Sequence, residues 1–281
     1  MSKNRGVVRR TLVQAPTLMD NVEKVMTNFA SGIIRWLGPV LVISLYLILA
    51  LHVYCFFGFI VPLLKKRLGT EFGLVWIAIG LSLLYNIVYN HLLTVCIKPT
   101  GPKDLKLIET IREQVKGRAN RKSVSKNLED DRFEGLSSDV KRLLRYRSKT
   151  MKDLETFWTK RCDKCNEIKP ARTHHCSICN SCVFVMDHHC PWINNCLGLE
   201  NYRYFLLFIF YLWAGLIFMA ITIMSIWNHH VYKINKFELS FCLILDFVLG
   251  LVLVFFNSWN WYLAFTGNST IEFWINEKNH A

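Results

Sequence analysis

Acidic residues are scarce in this chain. Its 281 residues hold 21 Asp and Glu against 34 Lys and Arg, a net charge of +13. A surplus of that size suits a disordered basic tail, but 52% hydrophobic and 14% aromatic content exclude one. The sequence also lacks the even spread of apolar residues, at helix or strand spacing, that an ordinary soluble enzyme shows. They gather instead into four long blocks separated by charged segments. Cysteine is sparse over most of the chain: Cys55, Cys96 and Cys242 stand alone inside apolar blocks and read as small packing residues.

The hydrocarbon core of a bilayer is about 30 Å thick, so a spanning helix needs roughly 20 mostly apolar residues. Four blocks qualify: Leu37 to Val61, ending at Pro62; Phe72 to Ile97, closed by Lys98 and Pro99; Tyr204 to Trp227; and Phe241 to Phe265. The first block is too long for the apolar core of a cleavable signal peptide and lacks a small-residue cleavage site. Four crossings put both termini on one side. The termini and the 98–203 segment together carry 29 Lys and Arg and the two short loops 5, although close to the helix ends the comparison narrows to 9 against 5. The expectation is cytosolic termini and a cytosolic 98–203 segment. Asp246 lies near the start of the fourth block and is expected to reach toward the lumenal interface.

Seven of the ten Cys fall between Cys162 and Cys196, together with His174, His175, His188 and His189. In reducing cytosol such a cluster reads as metal ligands or reactive thiols rather than disulfides. The two-residue spacings Cys162-x2-Cys165, Cys176-x2-Cys179 and Cys179-x2-Cys182 let paired thiolates grip one tetrahedral Zn²⁺, and thiolates with imidazoles select zinc. Two closed tetrahedral sites would use eight of the eleven candidates and leave three over. So short a stretch buries little core, and metal would supply its folding energy.

Several motifs carry a family resemblance. Pro170, Arg172, His175 and Cys176 read P-x-R-x-x-H-C; Asp187, His188, His189 and Cys190 read D-H-H-C, followed by Pro191, Trp192 and Cys196. Asn201 and Phe205 follow an N-x3-F pattern, and Ser269, Thr270, Ile271 and Glu272 look like a T-T-x-E motif with Ser in first place. The chain resembles the DHHC family of protein S-acyltransferases (palmitoyltransferases). That resemblance implies two structural zinc ions in interleaved sites: Cys162, Cys165, His175 and Cys182 for one, Cys176, Cys179, His189 and Cys196 for the other. Each site would carry about one negative charge, which Arg161, Lys164, Lys169 and Arg172 are placed to offset.

On this reading Cys190 is the nucleophile, His188 accepts its proton, and Asp187 orients the imidazole. The resemblance further implies that Cys190 takes a long-chain acyl group, palmitoyl by expectation, from acyl-CoA and passes it to a substrate cysteine, while Thr270 supports Asp187. Third-helix residues of the family help set chain length, and Gly215 is a candidate for the acyl-chain cavity or, alternatively, for a close helix contact.

The expected fold class is an all-α integral membrane protein with four transmembrane helices and a small cytosolic zinc-stabilised domain. Its parts are a cytosolic segment 1–36, helices 1 and 2 within 37–97, a charged linker 98–161, the cysteine-rich domain 162–203, helices 3 and 4 within 204–265, and a cytosolic segment 266–281. The expected partners are acyl-CoA, the lipid bilayer and cytosolic-face proteins with membrane-proximal cysteines, in Golgi or endoplasmic reticulum membrane. A catalytically silent zinc-built scaffold is the competing class, and it has no use for an unligated Cys190. Nucleic acid is not an expected partner, since only net charge favours it. Within 103–152, basic runs at 116–122 and 141–149 flank an acidic one at 129–134, a pattern read as a solvated, partly helical linker.

Overall fold

The computed structural model describes residues 18–99, 161–166, 169, 172–227, 233–234 and 236–280. The charged 103–152 insertion lies outside the described residues. Helix α1 (Leu18–Cys55) passes through a π-helical stretch, Phe56–Ile60, into α2 (Val61–Leu68). After Gly69 come α3 (Thr70–Cys96), four short strands, α4 (Tyr202–Ser225), α5 (Lys236–Thr266) and α6 (Thr270–His280). The strands are β1 (Thr173–Cys176), β2 (Ser181–Phe184), β3 (His189–Cys190) and β4 (Asn195–Cys196).

Among the described residues, four segments are long and apolar enough to cross a membrane: Phe29–Arg67, Thr70–Cys96, Tyr202–Ser225 and Lys236–Thr266. A helix satisfies its own backbone, which is why apolar runs of this length adopt it in hydrocarbon. The first segment does not end at Pro62, as its apolar block suggests. Pro62 falls in the first turn of α2, next to the π-helical stretch, where a missing N–H is tolerated and the chain stays helical through Lys65, Lys66 and Arg67. Gly69, with φ 91°, then supplies the left-handed corner into α3. At the far end of α5, Gly267 (φ 67°) closes the helix: its N–H bonds the Ala264 carbonyl and that of Asn268 the Leu263 carbonyl, the paired Schellman pattern.

Helix α3 packs along α4 and α4 along α5. Polar side chains tie the helices at intervals, with Trp76 Nε1 donating to Thr222 Oγ1 at 3.1 Å and Asn257 Nδ2 to the Ile209 carbonyl at 3.1 Å. Asp246 does not reach an interface. Because α5 begins at Lys236, Asp246 sits about 15 Å along it, almost fully buried, with Oδ1 3.1 Å from His52 Nε2 on α1. Beside that pair, Cys55 and Cys242 lie buried with sulfurs 3.8 Å apart, as packing residues should. Cys96, by contrast, is exposed at the end of α3.

The strands form two antiparallel hairpins, β1 with β2 and β3 with β4, standing where α3 ends and α4 begins. Asn195 Nδ2 donates to the carbonyls of Thr94, Val95 and Ile97, and Asn201 Nδ2 to those of Ile97 and Cys196. The last carbonyls of a helix have no partner within it, so these two side chains cap α3 and fasten the hairpins to the bundle. On α1, a Cβ at Gly38 would collide with the Asn194 side chain, and Arg35 donates to the Ile178 carbonyl at 2.6 Å.

Candidate active site and metal centres

The cysteine-rich stretch is built on a 14-residue repeat. Cys162-x2-Cys165-Asn166 recurs as Cys176-x2-Cys179-Asn180, and both Asn residues take positive φ, 55° and 52°. Asn tolerates the left-handed region, which turns the chain back after each pair of thiols. A third copy of the turn runs from Cys190 to Asn194, again with positive φ (48°), but Ile193 replaces its second cysteine. Cys190 therefore opens a turn that lacks its mate.

Each hairpin adds one His and one Cys directly opposite each other. His175 pairs with Cys182 across β1 and β2, and His189 with Cys196 across β3 and β4. The structure thus gathers two groups, Cys162, Cys165, His175 and Cys182, and Cys176, Cys179, His189 and Cys196, with the ligand atoms of each within 4.8 Å of one another. Within the first, Cys165 and Cys182 sulfurs are 3.5 Å apart and Cys162 Sγ lies 3.6 Å from His175 Nδ1. Within the second, Cys179 and Cys196 sulfurs are 3.4 Å apart and His189 Nδ1 is 3.4 to 3.7 Å from three sulfurs. Thiolates about 2.3 Å from a central Zn²⁺ stand roughly 3.7 Å apart in a tetrahedron. Both donor sets have that shape, and either could hold a metal ion. Of the basic residues, Arg161 donates to the Asn166 carbonyl, next to Cys165 of the first group, at 2.8 Å.

Neither group includes Asp187, His188 or Cys190. Asp187 is buried, and its carboxylate is held from three directions: the Thr270 N–H donates to Oδ1 at 2.7 Å, the Thr270 hydroxyl to Oδ2 at 3.0 Å, and His188 Nδ1 to Oδ2 at 2.6 Å. That last bond leaves His188 Nε2 as the nitrogen that can serve the thiol. Burial opposes a charged His188, but the bond to Asp187, aided by Cys190 alongside, outweighs it and raises the imidazole to about 9. Phe205 meets the imidazole edge-on, ring centres 5.7 Å apart.

The position of Thr270 follows from the start of α6. The Ser269 N–H donates to Glu272 Oε2 at 2.9 Å and the Glu272 N–H to Ser269 Oγ at 3.3 Å, a reciprocal capping box. Serine serves this cap as well as threonine would. Arg172, at φ 64°, clasps both carboxylate oxygens of Glu272 and also bonds the Gly267 carbonyl at 3.1 Å. Its guanidinium thus ties the cysteine-rich stretch to the start of α6. Sequence reasoning missed Asn195 and His91. His91, buried on α3, takes the Tyr46 hydroxyl on Nδ1 at 3.0 Å and bonds the Trp192 carbonyl through Nε2 at 3.3 Å. No pattern in the sequence pairs α3 with the loop after Cys190.

Cys190 and His188 line the mouth of a cavity of about 580 Å³ running between the helices. Its walls are almost entirely apolar, with Leu45, Ile87, Phe205 and Phe256 near the thiol, and Phe56, Gly80 and Met219 deeper. Gly215 is part of the wall, and a Cβ there would stand 3.0 Å from Ile87 Cδ1, so cavity lining and close helix contact coincide at this residue. Residues 155–277 match the family model of the DHHC palmitoyltransferase. No curated protein matches the chain.

Proposed function

We propose that residues 155–277, which match the family model of the DHHC palmitoyltransferase, work as such a domain, and that the chain transfers a long-chain fatty acyl group, palmitoyl above all, from acyl-CoA to protein cysteines. The observation that carries the reading is a thiol outside both metal-ligand groups, at the mouth of an apolar cavity, beside a histidine bound to a buried carboxylate. His188, raised well above an ordinary imidazole, keeps the Cys190 proton as the imidazolium near neutral pH, and the thiolate attacks the thioester carbonyl. The bond to the CoA sulfur breaks, the imidazolium returns its proton to that sulfur, and the acyl group remains on Cys190. A substrate thiol then attacks the acyl-enzyme, and Cys190 leaves as the thiol. Asp187, held by Thr270, fixes the imidazole tautomer and balances the imidazolium.

Each buried methylene contributes about 0.8 kcal/mol, so the cavity retains a chain of roughly sixteen carbons while the nucleotide stays in water. Two Zn²⁺ ions, one in each Cys3His group, would supply folding energy and hold the hairpins as a rigid mount. The substrates are proteins with cysteines near the membrane on the face of Cys190. The basic residues of the termini and the 98–203 segment support a cytosolic face, and we assign the protein to an endomembrane, Golgi or endoplasmic reticulum.

The test is incubation of the purified full-length protein with alkyne-tagged palmitoyl-CoA. Wild type is expected to acquire a hydroxylamine-sensitive label that Cys190→Ala lacks, both proteins retaining two zinc ions per chain. Persistent labelling of Cys190→Ala, or loss of metal in that variant equal to that of Cys162→Ser, would overturn the assignment.

A further inference from the structure

Helix α1 carries an apolar stripe that its own fold does not use. Val22, Met26, Phe29, Ile33, Trp36 and Val40 follow one another at alternating steps of four and three residues, and every one is between 51% and 82% exposed. Ile43 and Leu47, equally open, continue the same row into the spanning part. The opposite face, at Gly38, Leu45 and His52, is the one turned to the molecule's interior. A row that keeps a seven-residue period from Val22 to Leu47, about 38 Å, drifts around a straight helix by roughly 20° per heptad unless another helix winds with it.

Lipid accounts for the inner end of this row but not the outer. Arg35 and Gly38 already touch the cysteine-rich hairpins, at Ile178 and Asn194, so the row from Val22 to Trp36 runs up to and past that contact, at the end of the helix away from the bundle. Among the described residues nothing covers them. The segment Phe29–Arg67, about 58 Å long at 1.5 Å per residue, is nearly twice the roughly 30 Å that a bilayer core requires.

The surface of the stripe has a specific shape. Phe29, Gly32, Ile33 and Trp36 surround a groove, and a Cβ at Gly32 would meet nothing within 4 Å. Residues i, i+3, i+4 and i+7 are the four that make a hole in knobs-into-holes packing. With the row as core positions of a heptad, Ile33 is the residue that enters this very hole from a parallel, in-register neighbour. Two copies of this chain in one membrane share an orientation, so their α1 helices run parallel. We propose that α1 is a homodimer seam, in which Ile33 of each copy enters the hole over Gly32 of the other and the row continues into the bilayer. This goes beyond acyl transfer and does not rest on it.

The test uses full-length protein bearing a donor or an acceptor fluorescent protein at the C-terminus, reconstituted in phosphatidylcholine vesicles at high lipid excess. Wild type is expected to give energy transfer above that of random proximity, and Gly32→Leu to fall to the random level. Gly32→Leu adds its side chain to open space and favours helix, so its zinc content should equal wild type and report an intact fold. As a second measurement, Ile33 is replaced by photoreactive p-benzoylphenylalanine, and the cross-linked peptide is expected to come from residues 22–40 of the other copy. Random-level transfer in wild type, undiminished transfer in Gly32→Leu, or cross-links only to lipid or to residues 100–160 would each overturn the proposal.

Discussion

The Asp187 carboxylate accepts three hydrogen bonds, two of them from Thr270, and so holds the imidazole beside it in one orientation. Hydrogen bonds to a charged group contribute about 1.5–3 kcal/mol. Thr270→Val removes the hydroxyl bond but keeps the backbone one, and is expected to slow single-turnover acylation of Cys190 roughly tenfold, the lower end of that range, with zinc content unchanged. Much at this scale was legible in the sequence. Two-residue spacings marked the thiol pairs, whereas Ser269 to Glu272 stood out only as a T-T-x-E-like motif and their capping role came from the structure. What stayed hidden was which acceptor a side chain finds across a hundred residues. Asn195 looks like any loop asparagine until the end of α3 is placed beneath it, and Arg172 looks free until α6 brings Glu272. Asn195→Ala leaves the Val95 carbonyl without its cap and is expected to lower stability by about 1–3 kcal/mol, measured by thermal unfolding in detergent.

Among elements, the contact of α1 with α5 depends on a polar pair inside the apolar span. His52 Nδ1 donates to the Ile48 carbonyl at 2.8 Å, so the Nε2 contact with Asp246 requires one further proton shared between imidazole and carboxyl. Removing one member strands the other in a dry environment, whereas removing both restores an apolar interface. Asp246→Leu is therefore expected to destabilise by about 3 kcal/mol or more, and the His52→Leu, Asp246→Leu double variant to recover most of the loss, as read from unfolding midpoints. The four apolar blocks announced the helices, but not their ends. Hydropathy fails at Leu37 and Phe241 while the helices begin at Leu18 and Lys236, and that extra length is what moves Asp246 from an interface to the interior.

For the molecule as a whole, two kinds of stability meet at one thiol. The helices fold by burying backbone in hydrocarbon, while the hairpins have strands of two to four residues, two groups of ligand-type side chains and only a small apolar cluster around Val183 and Met186. A strong chelator is expected to abolish acylation and expose the hairpins to protease while far-ultraviolet circular dichroism keeps most of its helical signal. Loss of helix in step with metal would contradict that division. The third, unmated turn explains why the cysteine at the boundary between these halves is spare: Ile193 stands where the repeat would place a partner thiol, and Cys196, three residues on, belongs to the second ligand group instead.

The tie between Asp187 and the beginning of α6 also has a consequence in time. Ribosomes deliver both ligand groups and Cys190 well before they deliver Ser269 to Glu272, because 72 residues lie between Cys196 and Ser269. Until that late segment has been made and threaded back beside the hairpins, the acid that steadies His188 has no anchor. A chain without that segment keeps both ligand groups and Cys190 but lacks two of the three hydrogen bonds that hold the Asp187 carboxylate.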